Sequence, residues 1–295
     1  DIMIAMGEPM PESEIELTRQ RWGLDRPTHV RYVDWAWKLL HGDMGLSVRY
    51  RSSSESIAQP VRHLIRERLW MTVALTGFTT IVTWSFAIPV GIYSAVRQHS
   101  VGDYVFTFLG FTGVAVPDFL LGLLLMYLAF AYFDQSVGGL NSAEYANEPW
   151  SLGKVRDLIN HLWIPAVVLG TSGTAGLIRV MRNNLLDELG KPYVVTARSK
   201  GLANWKLVVK YPVRVALNPL VSTVGWVLPG IVSGSVIVSV VLGLPTVGPL
   251  LLRALENQDM YLAGSMVMIL SFLTVIGTLI SDILLAWSDP RIRYD

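Results

Sequence analysis

Long stretches without basic side chains dominate the pattern of hydrophobic and polar positions along this chain. There are five of them: Leu69–Val96, Tyr104–Phe133, Leu162–Ile178, Val215–Leu252 and Met260–Ser288. Their only charged side chains are Asp118 and Asp282. A helix needs about 20 apolar residues to cross the hydrocarbon core of a bilayer, and helices of soluble proteins keep one polar face. The pattern therefore predicts an all-α, polytopic membrane protein with five transmembrane helices.

The region before the first of these stretches, residues 1–68, is polar and amphipathic, and we predict that it forms short helices outside the membrane. Pro11–Leu24 and Pro27–Leu40 both have helical patterns. In the second of them, apolar residues recur at helical spacing, and we predict that they pack against the rest of the protein. These residues are Val30, Val33, Trp37 and Leu40.

Two further segments lie between these helices and the first predicted span. His41–Ser47 has the composition of a turn, so we interpret Asp43 as part of a structural turn rather than as a ligand. Ser56–Arg68 alternates apolar and basic side chains at helical spacing, with Pro60 suited to a first helical turn. This pattern predicts an interfacial helix that leads into the bilayer.

Composition excludes several classes of function. Only 16% of residues are charged and the net charge is +1, which is not typical of a nucleic-acid-binding protein. The chain has no cysteine, so it has neither disulfides nor thiolate metal ligands. The five histidines are scattered, and no nucleophile–base pair is recognisable. We therefore expect no catalytic residues and no metal site.

Lysine and arginine are distributed unequally between the connections of the predicted spans. One side carries Arg97, Arg179, Arg182, Lys191, Arg198, Lys200, Lys206, Lys210, Arg214, Arg291 and Arg293. The other side carries Lys154, Arg156 and Arg253. The positive-inside bias predicts that the long basic loop and the C-terminus are cytoplasmic and that residues 1–68 are outside. Because an exported region ahead of a span ordinarily follows an anchor helix, we expect a sixth, N-terminal span to precede Asp1.

Within the membrane domain, residues 69–295, polar uncharged side chains are the candidates for a translocation path. They are Thr171, Ser172, Thr174, Ser233 and Ser235. Close packing of helices explains the same residues equally well. Pro117 is expected to bend its helix, with Asp118 at the break. For Asp118 and Asp282 we favour an anchoring or near-interface position over proton relay or ion binding.

The loop at residues 187–214 is too long for a simple connection between two spans. Tyr193–Lys210 lacks proline and predicts two short helices that are separated near Gly201–Asn204. A basic loop of this kind could also bind anionic lipid headgroups. We interpret it as a docking element for a cytoplasmic partner.

The residues Tyr193 to Leu202, YVVTARSKGL, resemble the EAA loop of permease subunits of ABC importers, in the dipeptide/oligopeptide/nickel branch. The resemblance continues over almost the whole chain, through Gly23–Pro27, His41–Ser47, Ile88–Gly91, Leu162–Gly170, Leu244–Gly248 and Asp289–Arg293. Pro212 and Asn218 depart from the usual pattern of the branch, which affects the expected geometry after the loop.

This resemblance implies a type I ABC importer permease that moves a small solute. Members of the branch move short peptides, nickel complexes or oligosaccharides, and among these we expect a di- or oligopeptide. The family's coupling residues would be Tyr193, Thr196, Ala197, Arg198, Lys200, Gly201 and Leu202. The chain has no GxxxxGK[ST] motif, so ATP and Mg would be bound by partner subunits. The implied partners are two ATP-binding subunits, a second, related permease chain and an extracytoplasmic solute-binding protein in addition to membrane lipid, and no nucleic acid. The alternative is a secondary, ion-coupled transporter.

Overall fold

The computed structural model describes residues 25–47, 59–133, 138–142, 144–145, 148–223 and 236–288, which are almost entirely helical. The helices are α1 (Thr28–Leu40), α2 (Val61–Val96), α3 (Val101–Ala115), α4 (Asp118–Phe133), α5 (Leu152–Leu189), α6 (Pro192–Ser199), α7 (Asn204–Lys210), α8 (Pro212–Ala216), α9 (Asn218–Ser222), α10 (Val236–Val241), α11 (Val247–Glu256) and α12 (Met260–Ser288). Two strands, β1 (Leu46–Ser47) and β2 (Gln59–Pro60), pair antiparallel with Leu46 opposite Pro60.

Helices α2 and α12 are each long and apolar enough to cross a membrane without a break. Two bent pairs also qualify if each pair is counted as one span: α3 with α4, and the two halves of α5. The α5 axis bends by 53° between Thr171 and Gly173. Among the described residues there are therefore two to four spans. The fourth predicted span, Val215–Leu252, includes residues 224–235, which lie outside the described ranges.

The predicted span Tyr104–Phe133 is divided into two helices at Pro117. Helix α3 ends at Ala115 and α4 begins at Asp118, with the two axes at 101°. Val116 is extended, with φ −84° and ψ 126°, because a residue before proline is sterically disfavoured in the helical region. Pro117 also lacks the N–H that would continue the helical hydrogen bonds. The expected break at Asp118 is confirmed.

Helix α2 begins earlier than predicted. It starts at Val61, directly after Pro60, and runs to Val96 without interruption. The backbone N–H of Val61 donates to the carbonyl of Gly45 at 3.1 Å, which ties the start of the helix to the β1 turn. The predicted interfacial helix and the first span are thus one element, and the boundary placed at residue 68 falls inside it.

Helix α1 forms as predicted, but its predicted packing face is exposed. Val30, Val33, Trp37 and Leu40 are all exposed, and Leu39 is the buried residue of the helix. The opposite face packs instead: a methyl group built on Gly264 of α12 would lie 2.9 Å from the Trp35 ring. The predicted Pro11–Leu24 helix lies outside the described residues. Asp43 accepts from the Gly45 N–H at 3.0 Å, so it belongs to a structural turn as predicted.

Among the described helices, α2 and α5 make the most extensive contact with each other. The two helices approach closely at Gly91, where an added methyl carbon would lie 2.7 Å from Met181 Cβ and 3.1 Å from the Ile178 carbonyl oxygen. Small residues at helix crossings allow this approach in membranes. Gly170 likewise faces Thr83 across the same pair. The α2–α5 pair is the frame to which the other elements attach.

Candidate coupling surface

Helices α6 and α7 form the two short helices that the sequence predicts for the loop. Pro192 occupies the first turn of α6, where its missing N–H is not needed. Gly201 follows the helix with φ +77°, a conformation that glycine adopts without a steric penalty. No atom lies within 4 Å of a methyl group built there. Glycine is therefore favoured at position 201 by the backbone conformation of the turn, and not because a side chain there would clash with a neighbour.

The two helices share a hydrophobic core with the segments that follow them, and we call this unit, residues 192–220, the lobe. Its fully buried side chains are Val194, Leu207 and Leu220, together with Met181 and Leu185 of α5. Ala197, Val208, Val213, Ala216 and Ala95 of α2 complete the cluster. The lobe is thus packed on the ends of α2 and α5. Ala197, predicted as a coupling residue, lies in this core and not on the surface.

The outer surface of the lobe combines apolar and cationic groups. Trp205 is 67% exposed, and Tyr193, Val195 and Val209 are exposed as well. Thr196, Arg198, Lys200 and Gly201 are exposed, while Leu202 is half-buried against the core. The hydroxyl of Thr196 donates to the Pro192 carbonyl at 2.9 Å, and that of Tyr193 donates to Glu188 at 2.5 Å. The predicted residues other than Ala197 and Leu202 are therefore each accessible to a partner.

Trp205 and Val209 are the residues that the predicted site omitted. Both are apolar residues of the second helix. Periodicity groups residues on faces of a helix, but it does not distinguish a buried face from an exposed one. Leu207 and Val208 turned out to be the buried members of this helix. Adjacency to lysine does not separate the two pairs, since Leu207 borders Lys206 just as Trp205 does, and the sequence offers no other signal that does.

The candidate path residues that the structure describes lie at the bend of α5. The methyl group of Thr171 lies against Gly113 of α3. A methyl carbon built on Gly113 would be 2.6 Å from the Thr171 Cγ2 atom. Its hydroxyl donates to the Val167 carbonyl of its own helix. Thr174 is half-buried, and nothing approaches Gly173. Ser233, Ser235 and the side chain of Ser172 lie outside the described residues.

The long helices with a compact lobe on one end match the fold of type I ABC importer permeases. The permease chain in a structure of the MetNI methionine ABC transporter, in inward-facing conformations, matches this chain with a TM-score of 0.57 and 16% identity. The match covers 79% of this chain and 100% of the other. At this identity the likeness establishes the fold.

The chain belongs to the family of binding-protein-dependent transport system inner membrane components, whose sequence model matches residues 87–294. It is 36% identical to the oligopeptide transport system permease protein AppB of Bacillus subtilis (strain 168), over 100% of this chain and 90% of that protein. It is 27% identical to the dipeptide transport system permease protein DppB of Escherichia coli (strain K12), over 99% of this chain and 89% of that protein.

Membership in this family confirms the prediction of an integral inner-membrane permease of an ABC importer. Such permeases are separate from the ATPase subunits and work with them and with a substrate-binding protein. The family assignment does not favour the alternative of a secondary transporter.

Proposed function

We propose that this chain forms the translocation path of a di- or oligopeptide importer and that its lobe docks on the ATPase subunits. The names of the relatives AppB and DppB support the peptide class. ATP and Mg are bound by the ATPase subunits, a second, related permease completes the path, and the C-terminus is cytoplasmic. Thr171, Ser172, Thr174, Ser233 and Ser235 are the residues of this chain proposed to line the path.

The observation that carries this proposal is the exposed apolar surface of the lobe. Trp205 and Val209 keep large apolar areas in water beside several cations, although the same short helix buries Leu207 and Val208 completely or nearly so. Aromatic side chains are enriched at protein interfaces. The core behind this surface contains Met181 and Leu185, so a partner that moves the lobe also moves α5.

Replacing Gly201 tests the coupling role. In Gly201→Val a β-branched residue must adopt φ +77°, which costs about 1–2 kcal/mol and shifts the turn between α6 and α7. We expect uptake of radiolabelled trialanine per ATP hydrolysed to fall by about 5- to 150-fold, the usual range of an allosteric coupling. ATP hydrolysis by the complex should continue. The measurement uses the complete importer in proteoliposomes.

Gly190→Val is the matched control, because Gly190 precedes the lobe with φ −83° and an added methyl carbon makes only an ordinary contact of 3.8 Å. Undiminished uptake per ATP in Gly201→Val would contradict the coupling role. Uptake that continued with inactive ATPase subunits and followed a proton gradient would instead favour a secondary transporter.

A further inference from the structure

A buried ion pair joins the start of α3 to α5. The Arg182 guanidinium donates through Nε to Asp103 Oδ1 and through Nη2 to Asp103 Oδ2, each at 3.1 Å. The Asp103 side chain is 4% exposed and the Arg182 side chain 25%. Two parallel charge-assisted hydrogen bonds fix the relative orientation of the two groups as well as their distance. The pair therefore sets where α3 lies along α5.

The same carboxylate also holds the turn between α2 and α3. Its Oδ2 accepts from the backbone N–H of His99 at 3.0 Å, and the Asp103 N–H donates to the Ser100 hydroxyl at 3.2 Å as a helix cap. His99 has φ +62°, which is uncommon for a residue with a side chain. Asp103 therefore connects three elements at one point: the α2–α3 turn, α3 and α5.

Arg182 lies on the part of α5 that carries the lobe. Its neighbours Met181 and Leu185 are fully buried in the core of the lobe. The same two turns of α5 thus contact the lobe on one side and hold Asp103 on the other. Arg182 is thus a contact through which a displacement of the lobe reaches α3.

Apart from the Arg179 guanidinium, which lies 5.0 Å from the Phe111 ring centroid, the close approaches described between α3 and α5 involve small side chains. A methyl carbon built on Gly110 would lie 3.5 Å from Ala175 Cβ, and Gly113 faces the methyl group of Thr171. Such smooth surfaces allow two helices to approach closely but offer few bonds that resist sliding. An ion pair in a buried site must stay together, because separating it leaves an uncompensated charge.

We propose that Asp103 and Arg182 are a positioning pair that makes α3, and through the 101° bend at Pro117 also α4, follow movements of the lobe. This inference rests on the proposed docking of the lobe on the ATPase subunits. Neither residue touches the transported solute in this account; both act through the helices that they join.

Spin labels on the complete importer in nanodiscs test the proposal, and the absence of native cysteine in this chain simplifies the labelling. One label pair, Leu109→Cys with Phe272→Cys, reports α3 against α12. A second pair, Val180→Cys with Phe272→Cys, reports α5 against α12. All three positions are exposed in the chain. Distances are measured without nucleotide and after trapping with ATP and vanadate.

With the native ion pair, both distances should shift on trapping by roughly 1–5 Å, the scale of helix shifts in allosteric proteins. In Asp103→Asn or Arg182→Gln the α5 distance should still shift, whereas the α3 shift should disappear. The double variant should behave like either single variant, because both remove the same interaction. Arg182→Lys keeps the charge without the bidentate geometry and should give an intermediate α3 shift.

Arg179→Gln is the matched control, since Arg179 lies one turn earlier on α5 and is exposed, with its guanidinium 5.0 Å from the Phe111 ring centroid. Both shifts should survive in it. An undiminished α3 shift in Asp103→Asn and in Arg182→Gln overturns this inference but leaves the proposed docking of the lobe intact. If the α5 distance does not shift even with the native pair, the proposed docking of the lobe fails together with it.

Discussion

At the scale of single residues, Trp205 connects the structure of the lobe most directly to its function. A tryptophan that is 67% exposed leaves a large apolar area in water, which a partner can cover. Tryptophan is also among the residues that most often dominate the binding energy of interfaces. Trp205 therefore belongs to the proposed contact with the ATPase subunits more clearly than the buried Ala197 does.

We predict that Trp205→Ala weakens the association of the ATPase subunits by about 2 kcal/mol or more, as for other interfacial hot spots. The stability of the permease itself should hardly change, because the side chain contributes little to the core. Co-purification of the ATPase subunits at increasing detergent and salt concentrations measures the effect. Trp37→Ala is the control, because Trp37 is similarly exposed, at 64%, on the predicted outer side. Equal retention of the ATPase subunits by both variants would contradict the assignment.

Sequence reasoning succeeded for residues whose role is local and failed for residues whose role depends on distant parts of the chain. The turn at Gly201 could be predicted because a glycine between two helical patterns has a backbone explanation. The Asp103–Arg182 pair could not, since 79 residues separate its members. In the sequence, Arg182 is recognisable only as one of the basic residues that predict the cytoplasmic side.

At the scale of helices, the α2–α5 contact depends on Gly91. A side chain at this position would overlap Met181 Cβ and the backbone carbonyl of Ile178, neither of which can rotate away. The two helices would have to separate near the base of the lobe, where Ala95 and Met181 contribute to the same core.

We predict that Gly91→Leu destabilises the purified permease by about 1–3 kcal/mol or more, the usual cost of overpacking. Thermal unfolding in detergent, followed by the loss of monodisperse protein, measures this change. Gly77→Leu is the control on the same helix, because no atom lies within 4 Å of a methyl group built on Gly77. A Gly91→Leu variant as stable as the Gly77→Leu variant would show that the close approach is not required.

The limits of helix prediction follow from what hydropathy measures. The apolar run Met260–Ser288 coincides with α12 because that helix is continuous. Tyr104–Phe133 has the same kind of composition, but composition does not report the direction of an axis, and the chain turns by 101° at Pro117. Periodicity in α1 identified the residues that share a face, yet could not tell that Trp35 on another face makes the contact with α12.

At the scale of the whole molecule, the described residues form three hydrophobic cores that contact α2, and two of these cores also contact α5. One joins the start of α2 to α11 and α12, one lies at the middle of α2 and α5, and one is the core of the lobe. The lobe is thus continuous with the two longest helices of the frame. This continuity explains how a soluble partner on one face can act on spans that it does not touch.

Docking on the ATPase subunits requires the lobe to be cytoplasmic. Labelling of Lys200→Cys tests this location directly. Lys200 is exposed at the end of α6 and the chain has no other cysteine, so a membrane-impermeant maleimide reports its side of the membrane. We predict labelling in inside-out vesicles that is blocked when purified ATPase subunits are bound, and no labelling in intact spheroplasts. Labelling of Lys200→Cys in intact spheroplasts, or labelling in vesicles that bound ATPase subunits leave unchanged, would contradict the account.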